Sequence, residues 1–89
     1  MLKGAKPIEV LLAAPVSVQI AMVDFVDYMN FASELHDDIT ERFNYPSLWA
    51  AIGRLIDFTE RRVRADIEMR AAGFTFDDAF TLHSHDRHE

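Results

Sequence analysis

The sequence predicts an all-α protein built on one long helical hairpin, and three observations support this prediction. Apolar residues recur every three or four positions over two long stretches, which is the spacing of one face of an α-helix. A short break with a proline separates the two stretches, and so short a connection favours an antiparallel hairpin. The 89 residues make a single domain, and 49% of them are hydrophobic, a generous supply for so small a chain.

Residues 1–14 form an N-terminal arm in this interpretation. Its apolar run, IEVLLAA at residues 8–14, is followed by a proline. The run is so short that its length and composition fit two structures equally well, a strand and an extended arm packed on the helices. Both structures therefore stay open.

The longer apolar stretch at residues 8–26 resembles a membrane or targeting segment. Glu9 and Asp24 interrupt it, and Pro15 divides it. A transmembrane helix needs about 20 mostly apolar residues, so we expect no membrane association. A signal peptide, with the two preceding lysines as its charged start, is the alternative.

Helix 1 is predicted over residues 15–43. Pro15 suits a first helical turn, and Ser17 is a good capping residue. The apolar seam of this helix alternates spacings of four and three, as in a helix packed almost parallel or antiparallel to another. It consists of Val18, Met22, Phe25, Met29, Ala32, His36, Ile39 and Phe43. The first half is apolar on its other sides too, which predicts burial between helix 2 and either the arm or a second subunit.

Helix 2 is predicted over residues 46–72, because Pro46 disfavours helix at the residue before it and suits a first turn. Its apolar stripe comprises Leu48, Ile52, Leu55, Ile56, Thr59, Val63 and Ile67. Gly73 is typical of the residue that follows a helix end. Phe74 should then reach back to Met69 in a Schellman arrangement.

A short third helix is predicted over residues 75–82. Thr75 and Asp78 have the spacing of a capping box, with aspartate in place of the usual glutamate. This helix is expected to bury Phe76, Ala79 and Phe80. Residues 83–89 are then a polar tail.

Three of the four histidines lie in this tail, at His83, His85 and His88. Histidine and carboxylate side chains bind zinc and nickel, so a metal site is one hypothesis. The spacing is unfavourable, because neither a helix nor an extended chain places all three histidines on one side. We interpret them as part of a solvated tail and expect neither a metal nor another cofactor.

Helix 1 also carries an acidic face, opposite its apolar seam. The face consists of Asp24, Asp27, Glu34, Asp38 and Glu41, in a chain of formal net charge −6. Such a charge is repelled by phosphate backbones, so direct nucleic-acid binding is disfavoured. A solvated face is the simplest interpretation. Docking of a basic protein is the functional alternative, including inhibition of phage type in which the face imitates nucleic-acid charge.

The arginine-rich run at residues 60–70 is a poor nucleic-acid patch, because carboxylates lie four residues from its arginines. The expected pairs are Asp57 with Arg61, Glu60 with Arg64, Arg64 with Glu68, and Asp66 with Arg70. These pairs favour a solvated helix surface.

No phosphate-binding loop and no nucleophile motif occurs in the sequence, and cysteine is absent. A cysteine-free chain fits a reducing compartment, so we expect a cytoplasmic protein. The apolar surplus predicts a homodimer in which two hairpins form a four-helix bundle. The sequence therefore predicts a non-enzymatic adaptor, regulator or inhibitor. Besides the acidic face, its expected interaction residues are Val18, Met22, Phe25, Met29 and Trp49.

Overall fold

The computed structural model describes residues 4–41 and 48–87. These residues form four helices: α1 at Ile8–Leu12, α2 at Val16–Glu41, α3 at Leu48–Ala71 and α4 at Phe76–Arg87. The described part of the chain contains no strand, which confirms the all-α prediction. The predicted end of helix 1 at residue 43 and the predicted start of helix 2 at residue 46 lie outside it.

The two long helices, α2 and α3, run antiparallel and pack along each other. The early part of α2 meets the late part of α3, since the guanidinium of Arg62 lies 6.0 Å from the ring centre of Phe25. Further along, the rings of Phe31 and Phe58 lie 5.8 Å apart. We call the end where α2 begins and α3 ends the proximal end, and the opposite end the distal end.

Within its described residues, 4–14, the N-terminal arm contains a helix, α1, and no strand, so the strand and the extended arm are both wrong for the apolar run. Pro7 stands at its start, and its carbonyl accepts hydrogen bonds from the N–H groups of Val10 and Leu11 at 3.0 and 3.3 Å. A strand would need another strand to satisfy its backbone groups. A helix satisfies them within the segment and buries Leu11 in the core.

The core lies in the proximal half, where α4 covers a second side of α2. The predicted burial of the start of α2 is therefore present, but α4 supplies most of the cover that was expected from the arm or a second subunit. The buried cluster comprises Leu11, Ala14, Val18, Ala21, Met22, Phe25, Val26, Ala65, Met69, Phe74, Ala79 and Leu82.

The distal half is thinner, since no third helix of the described ranges lies over α2 and α3 there. Ala51 is the one buried residue among the described residues of this half. His36, which the sequence placed on the apolar seam, is exposed, while Ala32 and Ile39 are half-buried. The fully buried part of the seam therefore ends at Phe25, and Met29 is half-buried against the same core.

The face of α3 that packs on α2 differs from the predicted stripe. Its buried residues are Ala51, Ala65 and Met69. Ile56 and Ile67 of the predicted stripe are exposed instead. Helix α3 has two apolar faces, and the predicted stripe combined residues of both.

The predicted helix end at Gly73 is confirmed. Gly73 has a φ of +91°, and its N–H donates to the carbonyl of Arg70 at 2.9 Å. The N–H of Phe74 donates to the carbonyl of Met69 at 2.9 Å, and both side chains lie in the core. These two bonds are those of the Schellman motif, and they turn the chain from α3 into α4.

The predicted capping box at the start of α4 is also present. The N–H of Thr75 donates to Oδ2 of Asp78 at 2.9 Å, and the N–H of Asp78 donates to Oγ1 of Thr75 at 3.4 Å. Ala79 is buried and Phe80 half-buried as expected, but Phe76 is exposed at the edge of the core. Helix α4 continues past the predicted end at residue 82 to Arg87, so the start of the predicted tail is helical.

None of the helices in the described ranges is long and apolar enough to cross a membrane.

Candidate interaction surfaces

The outward face of α3 carries an apolar row that we call the outer stripe. It consists of Trp49, Ile52, Ile56, Val63 and Ile67. The opposite face of α3 packs on α2, so the stripe points away from the hairpin. Trp49 is 83% exposed, Ile56 56%, Val63 40% and Ile67 63%.

The spacing of the outer stripe is that of a helix–helix contact. Trp49, Ile56 and Val63 follow each other at intervals of seven residues, with Ile52 between the first two and Thr59 between the last two. This alternation of three and four is the heptad pattern of helices that pair side by side. The stripe exposes on the order of 500 Å² of apolar surface, and the largest apolar patches of monomers, which are of this size, often have a function.

The predicted interaction residues of the apolar seam separate into two groups. Val18, Met22 and Phe25 are buried, and Met29 packs against the same core, so these four act within the chain. Trp49 alone of the five is strongly exposed. Helix α3 exposes three further large apolar residues, Ile56, Val63 and Ile67, which had been assigned to the predicted stripe of helix 2.

The predicted acidic face also separates, along the length of α2. Glu34, Asp38 and Glu41 are exposed on the distal half. Asp27 is half-buried and bonded to a histidine of α4. Asp24 lies in a groove with Arg61 and Glu68. Burial first, and then the charges of Asp27 and Glu68, raise the pKa of Asp24, while Arg61 opposes the shift.

A hollow lined by aromatic residues opens between the distal halves of α2 and α3. We call it the aromatic hollow; its volume is about 450 Å³. It is lined by Tyr28, Phe31, Glu34, Leu35, Asp38, Arg54 and Phe58. The ring centres of Tyr28, Phe31 and Phe58 are 5.8 to 6.0 Å apart. Tilted and edge-on rings at such distances attract each other, so the cluster holds the two helices together here.

A second groove of about 370 Å³ continues toward the proximal end on the same side of the hairpin, since Tyr28 lines both. We call it the polar groove. Arg61 crosses it, with its Nη1 donating to Oη of Tyr28 at 3.0 Å and its Nε 3.1 Å from Oδ2 of Asp57. Of the predicted i,i+4 pairs, Asp57–Arg61 and Asp66–Arg70 form salt bridges. Among the described residues Arg64 makes no salt bridge to Glu60 or Glu68.

The histidines do not assemble into a metal site in the part of the chain that the structure describes. His83 points toward α2, and its Nε2 lies 2.8 Å from Oδ1 of Asp27, with both side chains largely buried. His85 is exposed, and His88 lies outside the described residues. No group of three metal-ligating side chains occurs within the described ranges. The His83–Asp27 pair fastens the end of α4 to the middle of α2.

Sequence reasoning missed two of these features. The His83–Asp27 contact joins residues 56 positions apart, and no local motif indicates it. The aromatic hollow depends on Phe31 and Phe58, which lie on different helices. Four members of the outer stripe, Ile52, Ile56, Val63 and Ile67, belonged to the predicted stripe of helix 2, but the sequence did not indicate that they face outward.

Comparison of the chain with protein-family models, with curated proteins and with solved structures gives no match.

Proposed function

We propose that this protein is a non-enzymatic protein–protein interaction module that acts as a homodimer, with the outer stripe of α3 as the contact between its two copies. The observation that carries the proposal is the exposed heptad row from Trp49 to Val63. Rows of this kind are normally buried between paired helices. Covering the stripe on two copies would remove on the order of 1,000 Å² from water, close to the lower limit of specific interfaces.

A symmetric pair of stripes brings the two hairpins together as a four-helix arrangement. In a two-fold dimer the same patch is used on both copies. Thr59 lies between Ile56 and Val63. If the two α3 helices pair antiparallel about this point, Ile56 of one copy lies near Val63 of the other. The small polar side chain at the centre permits close approach of the two helices.

Light scattering on a size-exclusion column tests the dimer. The expected wild-type mass is twice the 10.2 kDa of the chain. Ile56→Glu should give a folded monomer, because the dimer would bury two charges without partners. Val16→Glu is the matched control, since Val16 is 71% exposed at the start of α2, outside the stripe. A monomeric wild-type protein, or an Ile56→Glu variant that keeps the dimer mass, contradicts the proposal.

Running the same column with EDTA and with zinc addresses the metal-binding alternative. The proposed dimer keeps its mass in both buffers. A mass that changes with zinc would favour metal binding by His83, His85 and His88 over association through the stripe. If a chain ending at residue 82 no longer changes its mass with zinc, these histidines are the zinc ligands.

Cross-linking provides an independent test of the same contact, because the natural chain has no cysteine. Thr59→Cys introduces a single thiol at the centre of the proposed interface, where two copies should form a disulfide on mild oxidation. Ser84→Cys, on an exposed position of α4, is the control and should remain unlinked. Equal cross-linking of both variants would show only random collision.

The exposed distal carboxylates favour a basic protein as the further partner of the dimer. Glu34, Asp38 and Glu41 leave this end of α2 strongly acidic. An inhibitor that imitates nucleic-acid charge is the narrower form of this idea, and it predicts competition with duplex DNA for the captured protein. Reversal of these three charges to lysine should then abolish capture. The expected cytoplasmic location belongs to the same proposal.

A further inference from the structure

We infer that the aromatic hollow receives a lysine or arginine side chain from a basic, amphipathic helix of a partner protein, laid between α2 and α3. This inference rests on the proposed interaction function and names the chemistry of the partner. It uses the side of the hairpin formed by Tyr28, Phe31 and Phe58, and none of the outer-stripe residues lines this hollow.

The floor of the hollow suits a cation with an apolar stem. Three aromatic rings lie together, and Phe31 is 44% exposed, so part of their surface faces the opening. The negative face of an aromatic ring attracts ammonium and guanidinium groups within about 6 Å. The chain already uses this chemistry, because the guanidinium of Arg61 lies 5.6 Å from the ring centre of Tyr28.

The rim of the hollow is acidic on the α2 side. Glu34 and Asp38 lie four residues apart, one helical turn, and both line the hollow. Neither makes a salt bridge to a cation within residues 4–41 or 48–87, although Arg54 lines the α3 side. An incoming cation would therefore gain the attraction of two carboxylates at the rim as well as that of the rings below.

The shape of this side of the hairpin favours a helix as the carrier of that cation. The aromatic hollow and the polar groove follow each other along α2 from Ser17 to Asp38 and share Tyr28, and we call the two together the channel. Arg61 crosses the channel at Tyr28, so a bound helix would lie over that side chain. At 1.5 Å per residue this channel is about 32 Å long, the length of a helix of about 20 residues. No third helix of the described chain covers its distal half. An amphipathic helix laid along a groove is a common mode of peptide recognition.

The charges along the channel determine which sign of charge the partner helix must carry. Beyond the rim, the polar groove adds the carboxylates of Asp24, Glu60 and Glu68. The salt bridge from Arg61 to Asp57 neutralises one further acid. Carboxylates still outnumber arginines among the lining residues. A basic helix is therefore complementary, and an acidic helix is repelled.

The experiment uses two fluorescein-labelled synthetic peptides of about 20 residues, built from leucine, lysine and arginine. One places leucine at helical spacing on a single face. The other has the same composition in an order with no apolar face. Titration with the full-length protein is followed by fluorescence anisotropy. The amphipathic peptide should bind at least about tenfold more tightly. Equal affinities would mean general attraction of opposite charges, and would overturn the inference.

Substitutions of residues that line the aromatic hollow test whether the peptide binds there. Phe31→Ser should weaken binding of the amphipathic peptide about tenfold. The double variant Glu34→Gln, Asp38→Asn should weaken it by a similar factor and reduce its salt dependence. Asp37→Asn removes an exposed carboxylate of the same helix that neither lines the hollow nor belongs to the acidic face, and should keep wild-type affinity. Circular dichroism confirms that each variant is folded, and the double variant leaves the rings in place. Wild-type affinity in both hollow variants overturns the inference.

The same variants separate this inference from the proposed homodimer. Phe31→Ser should keep the dimer mass, while Ile56→Glu should lose it and still bind the amphipathic peptide. A wild-type protein that is monomeric but binds through the hollow would reject the dimer and support the site. A dimer mass that is lost in Phe31→Ser would assign the hollow to a second copy of this chain, and so overturn the site.

Discussion

Asp78 joins three parts of the molecule through one buried carboxylate. Its Oδ1 accepts the backbone N–H of Lys6 at 2.7 Å, and its Oδ2 accepts the Lys6 ammonium and the Thr75 N–H, each at 2.9 Å. The ammonium also donates to the carbonyl of Gly73 at 2.7 Å. The side chain of Asp78 is fully buried, so water cannot replace these donors. The N-terminal arm is thereby tied to the turn between α3 and α4.

These donors also predict how stability depends on pH. Burial alone would raise the pKa of Asp78, but hydrogen bonds from Lys6 and Thr75 outweigh it and hold the pKa below its usual 3.8. The folded state therefore binds this proton less readily than the unfolded state. The stability from this carboxylate should be complete above pH 3.8 and should be lost as the pH falls through the lower, folded value. Urea unfolding from pH 7 to pH 2 measures this loss.

Asp78→Asn should remove that pH dependence and lower the free energy of unfolding at pH 7 by about 1–2 kcal/mol, because the donors lose a charged acceptor while water still reaches the 39% exposed Lys6 ammonium. Asp86→Asn, at an exposed position of the same helix, is the control and should change stability by less than about 0.5 kcal/mol. An Asp78→Asn variant as stable as the wild type at pH 7 would contradict the role given to Asp78.

The contact between His83 and Asp27 also joins residues that are far apart in the sequence. Its two atoms lie 2.8 Å apart, and both side chains are largely buried. A double-mutant cycle with His83→Gln and Asp27→Asn should give a coupling free energy of about 1 kcal/mol, measured by urea unfolding. Additive effects of the two substitutions would show that the pair does not fasten α4 to α2.

At the scale of single elements, two glycines on α3 and at its end should respond oppositely to the same substitution. Gly73 has a φ of +91°, and Gly53 lies within α3; an added Cβ meets nothing within 4 Å at either position. Gly73→Ala should destabilise the protein by about 1–2 kcal/mol through the left-handed backbone alone. Gly53→Ala should stabilise it by about 0.5–1 kcal/mol, because alanine loses less entropy in a helix.

Thermal unfolding of both variants checks these signs. The pair is a matched control, since both substitutions add one methyl group into open space. A loss of stability in Gly53→Ala would mean that this part of α3 contacts a second copy or another surface. An unchanged thermal stability of the Gly73→Ala variant would mean that the Schellman turn does not require glycine.

Helix α3 also explains, at the scale of an element, why the packing of the hairpin could not be read from periodicity alone. Leu55 and Ile56 are adjacent in the sequence, yet the first is half-buried and the second is exposed. Both fit a spacing of three or four with their neighbours. Periodicity indicates that a face is apolar, but it does not indicate which of two apolar faces meets the hairpin and which meets a partner.

At the scale of the whole molecule, the two halves of the hairpin should differ in local stability. The proximal half has a core between three helices, while the distal half has two helices and a single buried residue among those described. Amide hydrogens should therefore exchange slowly around Met22 and Phe25 and quickly beyond Ala32. Hydrogen–deuterium exchange with mass spectrometry measures this gradient.

Association should reduce the gradient, because a second hairpin or a bound helix covers the distal half. Exchange beyond Ala32 should be faster in the monomeric Ile56→Glu variant than in the wild type. Around Phe25 the two should agree, since that core lies within one chain. Uniform exchange along both long helices would contradict the two-part description.

Local sequence rules alone determined the helical class, the Schellman turn at Gly73 and the capping box of Thr75 and Asp78. Each depends on residues within a few positions of each other, so their hydrogen bonds follow from sequence order. The acidity of α2 and the apolar surplus could be read in the same way. The sequence could also show that α3 is rich in apolar residues at heptad spacing.

Only the tertiary structure decided the form of the arm, the direction of the outer stripe and the roles of the carboxylates on α2. Lys6 and Asp78 are 72 positions apart, and Asp27 and His83 are 56 apart. Contacts over such separations depend on how the helices pack. A long helix has more than one apolar face, and it carries carboxylates that form no ion pair as well as some that do, so its sequence alone does not select the contacts. The burial of Phe25 and the exposure of Ile56 are results of that packing, which places α4 over the proximal half of the hairpin and leaves the outer face of α3 open.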